Sequence, residues 1–312
     1  MTADLTLPPT SYVPLPGRNS STTQTSSPGT SLNLLMFSSL ISSPNHNAYS
    51  NFYLFVMSLF LVLDLSFTAP DARVWSHVIE ATGKFSETGV FVLKPDALHI
   101  RAIDPSRTAM IEFYIPKEAF ESYEPVTEKT VYLSMEDLSK ILKSAGRNDK
   151  LSMSFSEDSM RIEFSDGIVT RIFKIPLRLE IAHEEIPSLE LEYSNKYVMS
   201  GDTLYEALAS IEKVGDVLRV SGDESTLVLK SLGDLGEAEV ILSLEKGVLK
   251  EADVKHPGFE VSYSIDYLSY MKKPIKSSDE VAVMVDNDLP ICLELRFLSG
   301  SKLSYYVAPR TE

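Results

Sequence analysis

The sequence predicts an α+β protein made of two similar halves, and three observations lead there. First, a helix-start signature recurs. Ser134-Met135-Glu136-Asp137-Leu138, Ser200-Gly201-Asp202-Thr203-Leu204 and Ser264-Ile265-Asp266-Tyr267-Leu268 follow a looser Ala69-Pro70-Asp71 at steps of 65, 66 and 64 residues. A serine hydroxyl accepts an orphan amide hydrogen at a helix start, and an acid in the first turn complements the helix dipole. Second, each signature is followed by strand-like sequence, so the chain reads as a fourfold repeat with two units per half. Third, the halves meet at Phe173 to Tyr193. There Leu177, Leu179 and Ile181, then Leu189, Leu191 and Tyr193, alternate with polar residues, predicting two half-buried strands around an exposed segment, Ala182 to Ser188. That segment holds Glu184, Glu185 and Pro187, yet also Ile186, an aliphatic residue with no evident partner in sequence.

At 312 residues and 44% hydrophobic content the chain is long enough for two domains with substantial cores. Its first 63 residues are different: Asp4 and Arg18 are their only charged side chains, and Ser, Thr, Pro and Asn dominate up to Tyr49. Such a composition buries too little apolar surface to fold alone. The apolar run Phe52 to Leu63 falls short of the roughly 20 residues that span a membrane, and it lacks the flanks of a signal peptide. Its second half is expected to be the first strand. Met57 lies inside it, so residues 1–56 are expected to be a disordered or non-native leader. Domain boundaries of 57–178 and 194–312 follow, with a connector at 179–193. The net charge of −15 repels nucleic acid on average, although patterning within helices can override an average. The single cysteine, Cys292, permits no internal disulfide and fits a reducing compartment.

From Leu59 onward each unit is expected to run strand, helix, meander. Asp71 to Phe85 sets Val74, Val78, Ala81 and Phe85 on one helical face, with Arg73, His77, Glu80 and Lys84 beside it. Strands are predicted over Val90–Lys94, Ala97–Ile103 and Thr108–Ile115. In the helix predicted over Met135 to Asp149, Leu138, Ile141, Leu142 and Ala145 lie within about 100° of one another, and Lys140, Lys143 and Arg147 fall opposite. Leu151–Phe155, Arg161–Phe164 and Ile168–Lys174 complete the first half. The third helix buries Leu204, Leu208 and Ile211, with Lys213 away from that face. Strands follow over Asp216–Ser221, Thr226–Leu232 and Glu237–Leu244. The last helix, Asp266 to Lys272, is expected to stop at Pro274, with Lys272, Lys273 and Lys276 collecting at its end. Val281–Val285, Ile291–Phe297 and Lys302–Val307 are the final strands.

No catalytic constellation is present in this pattern. The five histidines are scattered, and His183-Glu184-Glu185 has Pro187 where a metal-binding HExxH helix needs its second histidine. Neither a phosphate-binding loop nor a nucleophile elbow occurs, so no metal, cofactor or enzymatic activity is expected. A hydrolase on a two-domain β-rich scaffold is the alternative from another class, since paired acids leave no local signature.

Four stretches resemble one family: Leu133–Asp149 (LSMEDLSKILKSAGRND), Glu184–Ser194 (EEIP…EYS), Ser231–Leu242 (SLGDLGEAEVIL) and Asp286–Arg310 (DNDLPICLELRF…LSYYVAPR). They are similar, in the same order, to the sliding clamp proliferating cell nuclear antigen in its archaeal form, over about Ser58 to Glu312. The resemblance implies two domains, each of paired β-sheets and two helices, joined three at a time into a ring around duplex DNA as a processivity factor. It places Arg73, His77, Lys84, Lys140, Lys143, Arg147, Lys213 and Lys273 toward DNA, although Asp202, Glu206 and Glu212 make the third helix a poor contributor. It assigns Ile103, Thr108, Ile186, Pro187, Tyr193, Pro290, Tyr306, Val307, Ala308 and Pro309 to a pocket for short hydrophobic peptides of DNA polymerase, clamp loader, ligase and flap nuclease. Subunit contact falls to Ile168–Lys174 and Glu237–Ser243, in a homotrimer or a heterotrimer with sister clamps; a checkpoint-type ring is the variant reading. An archaeal origin would make the protein cytoplasmic and nucleoid-associated, with no membrane partner.

Overall fold

The computed structural model describes residues 65–156, 158–177, 186, 188–189 and 191–310. The leader and the apolar run to Leu63 lie outside them. The first described strand, β1 (Leu65–Ala69), begins just after that run.

Among the described residues eighteen strands, numbered in chain order, form three antiparallel sheets. The first half contributes a five-stranded sheet: β5 (Ser122–Tyr123), β1, β7 (Lys150–Phe155), β8 (Ser159–Ser165) and β9 (Thr170–Pro176). The second half contributes a four-stranded one: β13 (Gly236–Ser243), β12 (Thr226–Gly233), β11 (Val217–Gly222) and β15 (Glu260–Ser264). The third sheet has nine strands and belongs to both halves. Its order is β14 (Glu251–Val254), β10 (Asn195–Met199), β16 (Glu280–Met284), β17 (Ile291–Arg296), β18 (Lys302–Val307), β4 (Ala109–Pro116), β3 (Ala97–Ile103), β2 (Thr88–Leu93) and β6 (Lys129–Ser134). The halves join where β18 pairs with β4, Leu303 opposite Phe113 and Tyr305 opposite Ile111.

Helices fill the space between sheets because their apolar stripes match the pleat. Trp75 of α1 (Ala72–Thr82) stacks on Phe67 of β1 at 5.2 Å and meets Phe113 of β4 edge-on at 6.2 Å, tying one sheet to the other. Leu138 and Leu142 of α2 (Met135–Leu142), and Leu204, Leu208 and Ile211 of α3 (Gly201–Ile211), are likewise buried. Three of the four expected start signatures act as caps: Asp71, Ser134 and Ser200 accept the amides of Arg73, Asp137 and Thr203. Ser264 makes no such bond.

Several expected boundaries are corrected. The second helix ends at Leu142, so Lys143 caps it and Arg147 lies in the following turn. Lys84 and Phe85 sit in the turn after α1. Pro274 does not stop the last helix. The break falls at Met271, between α4 (Ile265–Tyr270) and α5 (Lys272–Ser277), and Pro274 occupies the first turn of α5, where amides have no helical partner to lose. Leu191 to Tyr193 form no strand, β9 ends at Pro176, and Leu179 and Ile181 of the other expected strand lie outside the described residues. Strands β5, β6, β10, β14 and β15 were not expected. Three of them run directly into α2, α3 and α4.

Candidate nucleic-acid interface and docking surface

The helices form one layer in the order α2, α1, α5, α3, crossing from the first half to the second between α1 and α5. At that seam His77 Nδ1 lies 2.7 Å from Ser277 Oγ, and Lys273 Nζ donates to Glu80 at 2.8 Å. Burial, then the charges of Lys273 and Arg73, hold the His77 imidazole below its ordinary 6.5, so it is neutral at pH 7 and not a cation on this face. Burial pushes the Glu80 carboxyl up, but the Lys273 hydrogen bond and charge, with Lys143 and Lys84 beyond, bring it below the usual range. Arg73, Lys84, Lys140, Lys143, Arg147, Lys213 and Lys273 are all exposed. Arg73 is 3.6 Å from Asp71, Lys140 is 2.7 Å from Glu136, and the Lys84 ammonium stands 5.6 Å above the Tyr270 ring. Lys213 lies past the end of α3, where Glu212 turns away to bond Lys272 and Ser269.

The opposite face of the nine-stranded sheet carries the described connector residues, 186, 188–189 and 191–193. Along β4, Phe113 points to the helices while Glu112 and Tyr114 point outward, as the period of two requires. A recess of about 660 Å³ lies between this face and connector residues Ser188, Leu189, Leu191 and Tyr193, and Tyr306 lines it too. The Tyr193 hydroxyl donates to Pro290 O at 2.8 Å. Ile186 and Ile103 share a separate groove of about 240 Å³ with Val90 and Tyr132. The tail closes on the same end of the sheet: Ala308 N–H donates to Thr108 O at 2.8 Å, and Pro309 follows it. Of the expected set, Tyr193 and Tyr306 line the larger recess and Ile103 and Ile186 the smaller, while Thr108, Pro290, Ala308 and Pro309 line neither. Val307 is a correction. Its side chain is fully buried between Ile291 and Ala109, inward where Tyr306 points outward, so it cannot line a docking surface. Pro187 lies outside the described residues.

Sequence reasoning passed over what holds the connector down. Arg101 Nε lies 3.0 Å from Glu112, its Nη1 donates to Ile186 O at 3.5 Å, and Ser188 Oγ donates to Glu112 at 3.5 Å. Burial pushes the Glu112 carboxyl up, with Arg101 opposing. The available signal was a pair of charges at outward positions of otherwise apolar neighbouring strands.

Two of the edge strands, among the described residues, carry exposed aliphatic side chains. On β9 and the turn before it, Ile168, Val169 and Ile172 are exposed beside Lys174. On β13 and its neighbours, Leu232, Leu235 and Ile241 are exposed beside Glu237 and Glu239. Among the described residues no group of acids, histidines and cysteine is placed to hold a metal ion, and no helix is long and apolar enough to cross a membrane.

Residues 65–184 match the N-terminal domain of proliferating cell nuclear antigen, and 186–310 its C-terminal domain. The chain belongs to the proliferating cell nuclear antigen family of DNA polymerase sliding clamps. It is 34% identical to the DNA polymerase sliding clamp of Thermofilum pendens over 249 residues, 80% of this chain and 100% of that protein. It is 33% identical to DNA polymerase sliding clamp 1 of Pyrobaculum aerophilum over 245 residues, 78% of this chain and 96% of the relative. Among solved structures, the PCNA2–PCNA3 complex from Sulfolobus tokodaii superposes with a TM-score of 0.73 at 28% identity, over 80% of this chain and all of that one. A. fulgidus PCNA bound to the C-terminal region of FEN-1 gives 0.70 at 25% identity, over 80% of this chain and 99% of that one. As a sliding clamp the protein is a processivity factor in DNA replication, and its family is not catalytic. That excludes the hydrolase alternative and gives the clamp's helical layer and connector face their context.

Proposed function

We propose that three copies of this clamp close head to tail around duplex DNA, with the helical layer inward and the connector face outward for docking. The observation that carries the reading is a helical layer running unbroken across both halves, with exposed cations, on a protein that is otherwise strongly acidic. Contacts to phosphates alone give sliding without sequence readout. The open edges favour a ring of identical chains: exposed aliphatics occur on both, and Lys174 of β9 complements Glu237 and Glu239 of β13. Pairing them removes edges that would otherwise template aggregation. Short hydrophobic peptides of DNA polymerase, clamp loader, ligase and flap nuclease dock along Ile186, Ile103, Tyr193, Pro290 and the Ala308–Pro309 tail; that the C-terminal region of FEN-1 binds A. fulgidus PCNA supports FEN-1 as a partner. The protein works in the cytoplasm at the nucleoid.

Light scattering of the full chain should give three times the chain mass, and a persistent monomer would redirect the reading to a mixed ring with sister clamps. For docking, Ile186→Ser with Pro309→Ala should weaken a fluorescent partner peptide roughly tenfold or more, the scale of two apolar groups returned to water at about 1 kcal/mol each. Wild-type affinity in that double variant would refute the assignment.

A further inference from the structure

We propose that Arg171 is a positioning residue for DNA contact, fixing from strand β9 the turn that presents Lys143 and Arg147; this rests on the reading that the helical layer faces DNA. In the turn 143–149, Lys143, Arg147 and Asn148 are exposed, Ser144, Ala145 and Gly146 are half-buried, and the Asp149 side chain is 3% accessible. The turn's backbone bonds are few: Lys143 N–H to Ser139 O, Ser144 N–H to Ile141 O, Ala145 N–H to Leu142 O, and a long Asp149 N–H to Gly146 O at 3.4 Å. What holds it comes from outside. Arg171 Nη1 donates to Ser144 O at 2.6 Å, Nη2 donates to the Asp149 carboxylate, and the guanidinium lies 5.6 Å over the Phe164 ring.

The same carboxylate accepts the Gly146 amide, and Asp149 O accepts the Ala72 N–H at 2.9 Å, linking the turn to the start of α1. A side chain at Gly146 would press on this arrangement, its Cβ 3.1 Å from Asp149 Oδ2 and 3.6 Å from Arg171 Nη2. One planar fork therefore satisfies a buried acid and a turn carbonyl at once, geometry that an ammonium cannot reproduce. Both cations of the turn then meet phosphates from a fixed frame, and the ordering cost of binding falls.

Arg171 also belongs to an exposed sheet edge, so Arg171→Met is paired with Asp149→Asn, which lies off that edge. The full chain is titrated with a fluorescent duplex across a sodium chloride series, with amide exchange followed over residues 143–149. Both variants should exchange faster in the turn. Each should bind DNA about three- to tenfold more weakly, with a slope of log K against log salt shallower by about 0.9 for each phosphate no longer neutralised. Arg171→Lys keeps the charge but not the fork, and should behave like Arg171→Met. If Lys143→Ala with Arg147→Ala leaves the slope unchanged, the inner-face reading fails and the inference with it. If that double variant flattens the slope while Asp149→Asn leaves slope and exchange at wild-type values, only the positioning role is overturned. Should Arg171→Met change the oligomeric mass, Asp149→Asn decides.

Discussion

The helical layers of the two halves share a scaffold and differ in charge. In the first half, Arg73, Lys84, Lys140, Lys143 and Arg147 stand exposed on α1, α2 and the turns after them, with Arg73 paired to Asp71 and Lys140 to Glu136. In the second, α3 and the residue after it bring Asp202, Glu206 and Glu212 against Lys213, and the lysines of α5 are engaged. Lys272 bonds Glu212, Lys276 lies 4.3 Å over the Tyr205 ring, and Lys273 reaches across the seam to Glu80. Apolar positions must match a shared core, so repetition preserves them. Outward charges answer to no such constraint, so the halves are free to differ in them.

The largest effects test the shared part. Leu138→Ala in α2 and Leu208→Ala in α3, each within 3% of complete burial, should each cost about 2–5 kcal/mol of stability in chemical denaturation. Similar costs would sharpen the comparison, and a negligible cost at either would break it. Next comes the unequal part. Lys143→Glu with Arg147→Glu should flatten the salt dependence of duplex binding by about 2, at about 0.9 per phosphate, and depress clamp-stimulated synthesis, whereas Lys213→Glu should change affinity less than about twofold. Equal responses would show that the halves contribute alike.

Glu212→Gln removes the acid that engages Lys272 and should tighten duplex binding about twofold at low salt. Unchanged affinity would mean that Lys272 does not face DNA. The smallest effect lies at the seam. Because the folded imidazole of His77 titrates below its unfolded value, its contribution is present above pH 6.5 and lost as pH falls through the lowered folded value. Thermal stability of the wild type should therefore drop more than that of His77→Gln between pH 7 and 5. Part of the drop should persist in the variant, since burial and then Lys94 and Arg101 lower His99 similarly. Parallel curves would mean that the seam is insensitive to this proton.

Much of this was legible in the sequence because it is local. The stripe of Leu138 and Leu142, the caps at Ser134 and Ser200, and the alternation of β16 to β18 are written within a dozen residues. Other features depend on distant partners. Pro274 looked like a stop because its neighbours gave no sign that Met271 would already have broken the helix. Arg147 looked helical because the period continues past Leu142, although Asp149 and Arg171 pull the chain into a turn instead. Val307 shared a motif with outward Tyr306, and only the pleat separates them. That Ile186 and Ile103 share one recess while Tyr193 and Tyr306 line another was not readable, because Arg101 and Glu112 hold Ile186 and Ser188 from strands far away in sequence.

The ladder between β18 and β4 has a mechanical consequence. Six residue pairs, from Lys302 opposite Tyr114 to Val307 opposite Ala109, weld the halves through backbone hydrogen bonds in the middle of a nine-stranded sheet. Residues 65–310 therefore have no hinge where the two halves meet, since bending there would break a central ladder. In the proposed ring, the compliance needed to admit DNA would be left to the edges at β9 and β13, where the bonds to be broken would be those between chains.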